Sequence, residues 1–243
     1  MNTFQESLAR ALQLVAEGDA ALFEIVARSL SVSGVACILA CIFGLMLGGW
    51  LAVARFPARA AVVTVLNTFL AIPSVVVGLV VYLLLSRSGP LGFLGWLFSF
   101  KAMVVAQVLL VLPLCTALTR QVVEDAERAN GEQLQSLGAC GPLRSLLLAL
   151  DERYALMTVL LTCFGRAVSE VGAVMIVGGN IEGFTRVMTT AIALETSKGD
   201  LPLAMGLGLI LLTVVLGLNA AIALIARWRG AHTEGLALAG GNA

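Results

Sequence analysis

The sequence predicts an all-α membrane protein: five transmembrane helices, a short re-entrant or surface helix, and a helical hairpin on the cytoplasmic side. Three observations carry this prediction. Of 243 residues, 59% are hydrophobic and only 12% are charged, about half the charge that coats a soluble domain. Mean hydropathy is +0.98. The apolar runs are continuous and do not alternate as the strands of a membrane barrel must. Fifteen basic and fifteen acidic residues cancel, so no general basic surface exists for nucleic acid.

Each element follows from a run and its punctuation. Residues 1–29 read as an extracytoplasmic amphipathic segment, because Arg10, Glu17 and Asp19 interrupt its apolar residues. Met1 to Glu6 lacks the basic-then-apolar layout of a cleavable signal. Residues 30–54 carry no charge and are long enough to cross hydrocarbon with some tilt. The second span is 60–86, where Pro73 predicts a helix kink. The third is 102–119, the fourth is 154–179, apolar except for Arg166 and Glu170, and the fifth is 201–226. Residues 227–243 form a tail.

Five spans place the two ends on opposite sides. With the N-terminus outside, the inner segments hold Arg55, Arg59, Arg120, Arg128, Arg144, Arg153, Arg227 and Arg229. The outer ones hold Arg10, Arg28, Arg87, Lys101, Arg186 and Lys198. The excess inside predicts an outer N-terminus and a cytoplasmic C-terminus. Residues 120–153 are then the largest inner connection and hold ten of the thirty charges. They read as two short helices, one stopping at Gly138 and one opening near Pro142.

Two stretches carry a family resemblance. In the inner loop Glu132, Gly138 and then Leu148-Ala149-Leu150 are spaced like the cytoplasmic loop signature of ABC importer permeases. Gln133 and Leu134 replace its alanines, and Asp151 stands where proline is usual. Arg166-x-x-x-Glu170-x-Gly172, Gly179-Asn180-Ile181 and Thr185-x-x-Met188-Thr189-Thr190-Ala191-Ile192 are similar to the oxyanion permeases. The extension Ala193-Leu194-Glu195-Thr196-Ser197-Lys198-Gly199-Asp200 resembles the tungstate branch, as do Asn67 and 72–79. The resemblance covers roughly residues 18–226.

The resemblance implies a permease subunit of an ATP-driven importer for tungstate, or alternatively molybdate or sulfate, in a bacterial or archaeal cytoplasmic membrane. Glu132, Gly138, Leu148 and Leu150 would form the ATPase-coupling hairpin. The implied partners are a second copy of the chain, ABC ATPase subunits, an extracytoplasmic oxyanion-binding protein and membrane lipid. The chain has no Gly-x-x-x-x-Gly-Lys-Ser/Thr loop, so it is expected to bind no cofactor, ATP and magnesium being used by the partner.

Charge at membrane depth costs several kcal/mol unless paired. Arg166 and Glu170, four apart, are therefore either a structural ion pair or part of the translocation path. Asn180 and the hydroxyls of Thr185, Thr189 and Thr190 are candidate path residues, in a segment that is re-entrant at the outer mouth or lies on the outer surface. Cys37 and Cys41, one turn apart, have no His or acid beside them, so they read as packing rather than a metal pair. An intramembrane enzyme lacks its chemistry here: the only histidine is His232, no span holds aspartate, and Ser169 has no base. A passive channel would leave the charged inner loop without a role.

Overall fold

The computed structural model describes residues 8–13, 16 and 20–240, with side chains through Ala226. Every regular element among them is helical. The order is α1 (Ala20–Val53), α2 (Arg59–Leu70), α3 (Ser74–Leu85), a 3-10 turn at Gly92–Leu94, α4 (Phe100–Ser136), α5 (Gly141–Asp151), α6 (Arg153–Val168), α7 (Gly172–Gly178), α8 (Met188–Lys198) and α9 (Leu201–Gly240). Three helices are long and apolar enough to cross a membrane: α1, α4 and the Leu201–Ala226 part of α9. The pairs α2–α3 and α6–α7 raise the number to five when each interrupted pair counts as one span.

Several expected boundaries move. The helix of the first span begins at Ala20 rather than residue 30, so residues 20–29 are continuous with that span. Leu22 explains this, being fully buried against a core that includes Met188, Ala191 and Leu207. The expected kink at Pro73 is a complete interruption. α2 stops at Leu70 and Pro73, at φ −59 and ψ 132, caps the start of α3. Lacking an N–H, proline cannot continue the ladder of the preceding helix. The fourth run is also two helices, meeting at 55° across residues 169–171. The third span runs on without a break through the first half of the inner loop, to Ser136. Residues 227–240 extend α9, whereas the side chains of Arg227, Arg229 and His232 lie outside the described residues, as do residues 1–7, 14–15, 17–19 and 241–243.

The chain divides into two compact units, one of residues 1–40, 71–111 and 164–215, the other of 41–70, 112–163 and 216–243. In the first, Val32 and Ala36 of α1, Val81 and Leu85 of α3, Ala102, Met103 and Ala106 of α4, and Ala173, Val174 and Val177 of α7 share a core. Lipid is as apolar as leucine, so close packing of small residues, not exclusion from water, holds such a core together. Gly78 shows how tight it is: a Cβ there would stand 2.7 Å from Ala173 Cα. In the second unit Ala52 and Val53 of α1, Val123 and Ala126 of α4 and Leu148 of α5 form the core. Gly48 lets α1 reach α4, since a Cβ there would lie 2.6 Å from the Thr116 carbonyl oxygen.

Candidate functional site

The interruption between α6 and α7 is the chemically densest part of the first unit. Arg166 lies in the last turn of α6, and Glu170 sits just beyond it. Arg166 donates to one Glu170 carboxylate oxygen at 2.6 Å, and the Ala173 N–H donates to the other at 3.2 Å. That N–H has no helical acceptor at the start of α7, so the carboxylate satisfies it. The Ser74 hydroxyl also bonds Glu170, while the Thr189 hydroxyl donates to the Glu170 backbone oxygen at 2.7 Å. The Glu170 carboxylate thus fastens α3, α6 and α7 to one another, and its backbone oxygen holds α8.

The ion pair is lopsided. The Glu170 side chain is 3% exposed and that of Arg166 is 43% exposed. Thr162, one turn before Arg166, and Ser169, three residues after it, are exposed as well. The Thr162 hydroxyl donates to Thr158 O at 2.8 Å and that of Ser169, just beyond the end of α6, to Arg166 O at 3.2 Å, so the guanidinium is the incompletely satisfied polar group of this face. Lipid does not solvate such a charge.

The threonines behave differently from the expectation that they offer hydroxyls to an anion. Thr185, Thr189 and Thr190 are 1%, 6% and 0% exposed. Thr185 donates to the Gly178 carbonyl and accepts from the Ile181 N–H at 2.9 Å. Thr190 donates to Val187 O and accepts from Val187 N–H, both at 3.1 Å. With Thr189 bound to Glu170, all three hydroxyls hold backbone, because the irregular stretch 179–187 leaves polar groups that no helix satisfies. Asn180, at φ +50, donates from its amide to Thr190 O at 3.3 Å and belongs to the same framework. Arg186 pairs with Glu182 and Glu195, and Lys198 with Glu195. Arg166 is therefore the predicted path residue whose charged group faces outward.

The second unit holds the inner hairpin. Its first arm is the end of α4, not a separate short helix. Gly138, at φ +82, closes it: the Ala139 N–H reaches Leu134 O and the Gly138 N–H reaches Gln135 O, both at 3.0 Å. This Schellman cap needs a left-handed residue. A Cβ on Gly138 would touch nothing within 4 Å, so the demand is conformational. Glu132 is exposed and, among the described residues, forms no side-chain hydrogen bond or ion pair.

The second arm, α5, has its polarity inverted. Leu143, Leu146, Leu147 and Leu150 are 39–56% exposed, whereas Arg144 and Leu148 are buried. The two predicted leucines thus part: Leu148 anchors the core and Leu150 faces out. Arg144 pairs with Glu127 of α4 at 3.0 Å. Nearby, Arg59, Arg120 and Arg128 all converge on Glu124. Burial alone pushes the Glu124 carboxyl up, but the three guanidinium groups hold it below the usual carboxylate range. On the leucine side of α5 opens a cavity of about 560 Å³, lined by residues that include Met46, Trp50, Pro142, Leu146 and Leu150.

Sequence reading missed Ser74, Thr162, Glu124, Glu127 and Arg144, and weighed Ser169 only as a nucleophile. The signal available for Arg144 was its place among leucines at helical spacing, where one charge either faces out or has a partner.

Comparison with models of known protein families returns no match. Individual relatives are close. The tungstate uptake permease TupB of Peptoclostridium acidaminophilum is 40% identical over 226 residues, covering 91% of this chain and 97% of that protein. A probable anion ABC transporter permease of Haloferax volcanii is 41% identical over 204 residues, 82% and 88% of the two chains. The Campylobacter jejuni TupB is 36% identical over 211 residues, 86% and 88%. Permeases of sulfate and molybdate transport match at 28–30%. The chain therefore belongs to the oxyanion permeases of ABC importers, in the branch of the tungstate uptake permeases.

Proposed function

We propose that two copies of this chain form the pore of an ATP-driven importer that carries tungstate across a bacterial or archaeal cytoplasmic membrane. An extracytoplasmic binding protein delivers the anion, and ATPase subunits dock on α5 from inside. The N-terminus is outside and the C-terminus inside. The chain binds no ATP; its partner does.

The observation that carries the coupling role is the inverted face of α5, with four outward leucines and an arginine beneath. Exposed apolar side chains of that density mark a surface that another protein or lipid covers, and the likeness of the Glu132–Leu150 spacing to the permease coupling loop favours the ATPase. α5 also joins α6 through the single residue Glu152. The Glu152 N–H donates to Leu148 O at 3.0 Å, and the Leu156 N–H donates to Glu152 O at 2.9 Å, so helical bonding nearly bridges the junction. Movement of α5 by a docked ATPase then passes into α6, the helix that bears Arg166. The outward charge of Arg166 supports a water-filled path between two copies, since a bare dianion cannot enter hydrocarbon. The strong likeness to tungstate permeases, against 28–30% for those of sulfate and molybdate, favours tungstate.

Docking is tested by replacing Leu146 and Leu150 together with aspartate in the co-expressed complex. The ATPase should fail to co-purify while the permease still inserts. Full co-purification would refute α5 as the docking element.

A further inference from the structure

Three thiols from three helices converge in the second unit. Cys41 of α1, Cys115 of α4 and Cys163 of α6 place their sulfurs within 4.8 Å of one another. All three are buried, at 6%, 0% and 0% exposure, and none forms a disulfide. Cys115 is hydrogen-bonded with both of the others. The absence of a side chain at Gly44 makes room, for a Cβ there would stand 2.8 Å from the Cys115 sulfur.

Thiolates select soft ions, and the setting narrows the choice by charge. The group lies in the spans, where net charge is costly. Three thiolates around a monovalent copper ion leave two negative charges, and around zinc they leave one. Zinc also asks for a fourth ligand, and no further His, Cys, Asp or Glu belongs to this group among the described residues. Only a trivalent ion gives a neutral product, and trivalent arsenic takes three sulfurs in a pyramid. In a pyramid with sulfur–ion bonds of about 2.3 Å the sulfurs stand roughly 3.5 Å apart, so a cluster whose sulfurs lie within 4.8 Å of one another has to contract on binding.

We propose that Cys41, Cys115 and Cys163 form a binding site for trivalent arsenic. Arsenous acid enters as a neutral molecule. Three S–H and three As–O bonds break and three As–S bonds form. Each thiol proton leaves with a hydroxyl as water, and no atom changes oxidation state. The product ties α1, α4 and α6 together, so helices that must shift during a transport cycle become fixed and uptake stops.

The test uses sodium arsenite on the purified permease–ATPase complex, with the arsenic retained after desalting counted per permease chain. The complex should hold one arsenic that the Cys41→Ala, Cys115→Ala and Cys163→Ala variants each bind roughly 100-fold more weakly, the loss expected when one arm of a chelate is removed. Cys37→Ala and Cys140→Ala should bind as the parent does. X-ray absorption at the arsenic edge should give three sulfur neighbours. If one variant fails to assemble, the other two carry the comparison. Equal retention by all variants, or oxygen neighbours at the arsenic, would overturn the proposal.

Discussion

The one-sided pair Arg166–Glu170 allows structural and transport roles to be separated by substitution. Glu170 is 3% exposed and accepts from Arg166 at 2.6 Å, from the Ala173 N–H at 3.2 Å and from Ser74. Removing one partner of a buried pair costs about 3–5 kcal/mol. Arg166 is 43% exposed, which screens the attraction and brings the expected loss for Arg166→Gln to about 2 kcal/mol. Glu170→Gln keeps an oxygen for the Ala173 N–H but loses charge-assisted bonding, again about 2 kcal/mol. In the double variant no charge is left unpaired, so the loss should fall short of the sum by about 2 kcal/mol. Thermal unfolding of the purified chain in detergent reads stability, and uptake by the reconstituted complex reads transport. The double variant should regain stability without regaining uptake, because the outward guanidinium is still missing. Uptake that followed stability through all four proteins would refute a role in the path and leave Arg166 as a structural cation only.

Two further outcomes are expected. Gly138→Ala should weaken the hairpin by about 1–2 kcal/mol through its left-handed backbone, and Gly138→Asn should restore much of the lost ATPase coupling; no difference between alanine and asparagine would mean that the side chain itself blocks docking. Glu124 titrates below its ordinary value of 4.5, so the stability it adds is complete above that pH and is lost as pH falls through the depressed value. A Glu124→Gln variant should lack this acid-sensitive component in unfolding measured between pH 5 and 3, and an unchanged acid profile would contradict the charge network.

The apolar runs revealed the helices because twenty uncharged residues in succession suit only lipid or a buried core. Gly138 and Pro142 revealed the hairpin because each satisfies a specific helix end. The interruptions at 71–73 and 169–171 were harder to see. A proline inside an apolar run signals a kink and a full break alike, and Glu170 supports the second break through partners, Ser74 and Thr189, that are far away in sequence. The threonines are ambiguous in the sequence for a related reason. Their hydroxyls are as suited to an irregular backbone as to an anion, and only the fold shows that backbone groups already occupy them. Arg144 reads as a surface charge until Glu127 is placed beside it. The cysteines read as packing until three helices bring them together.

The central claim is that this chain moves an oxyanion under the control of ATP. The most direct measurement is uptake of labelled tungstate into proteoliposomes that hold the permease and its ATPase, with the binding protein outside and ATP enclosed. Tungstate should accumulate against its gradient only when ATP and the binding protein are both present, and excess sulfate should compete poorly. Accumulation without ATP, or sulfate carried in place of tungstate, would contradict the account.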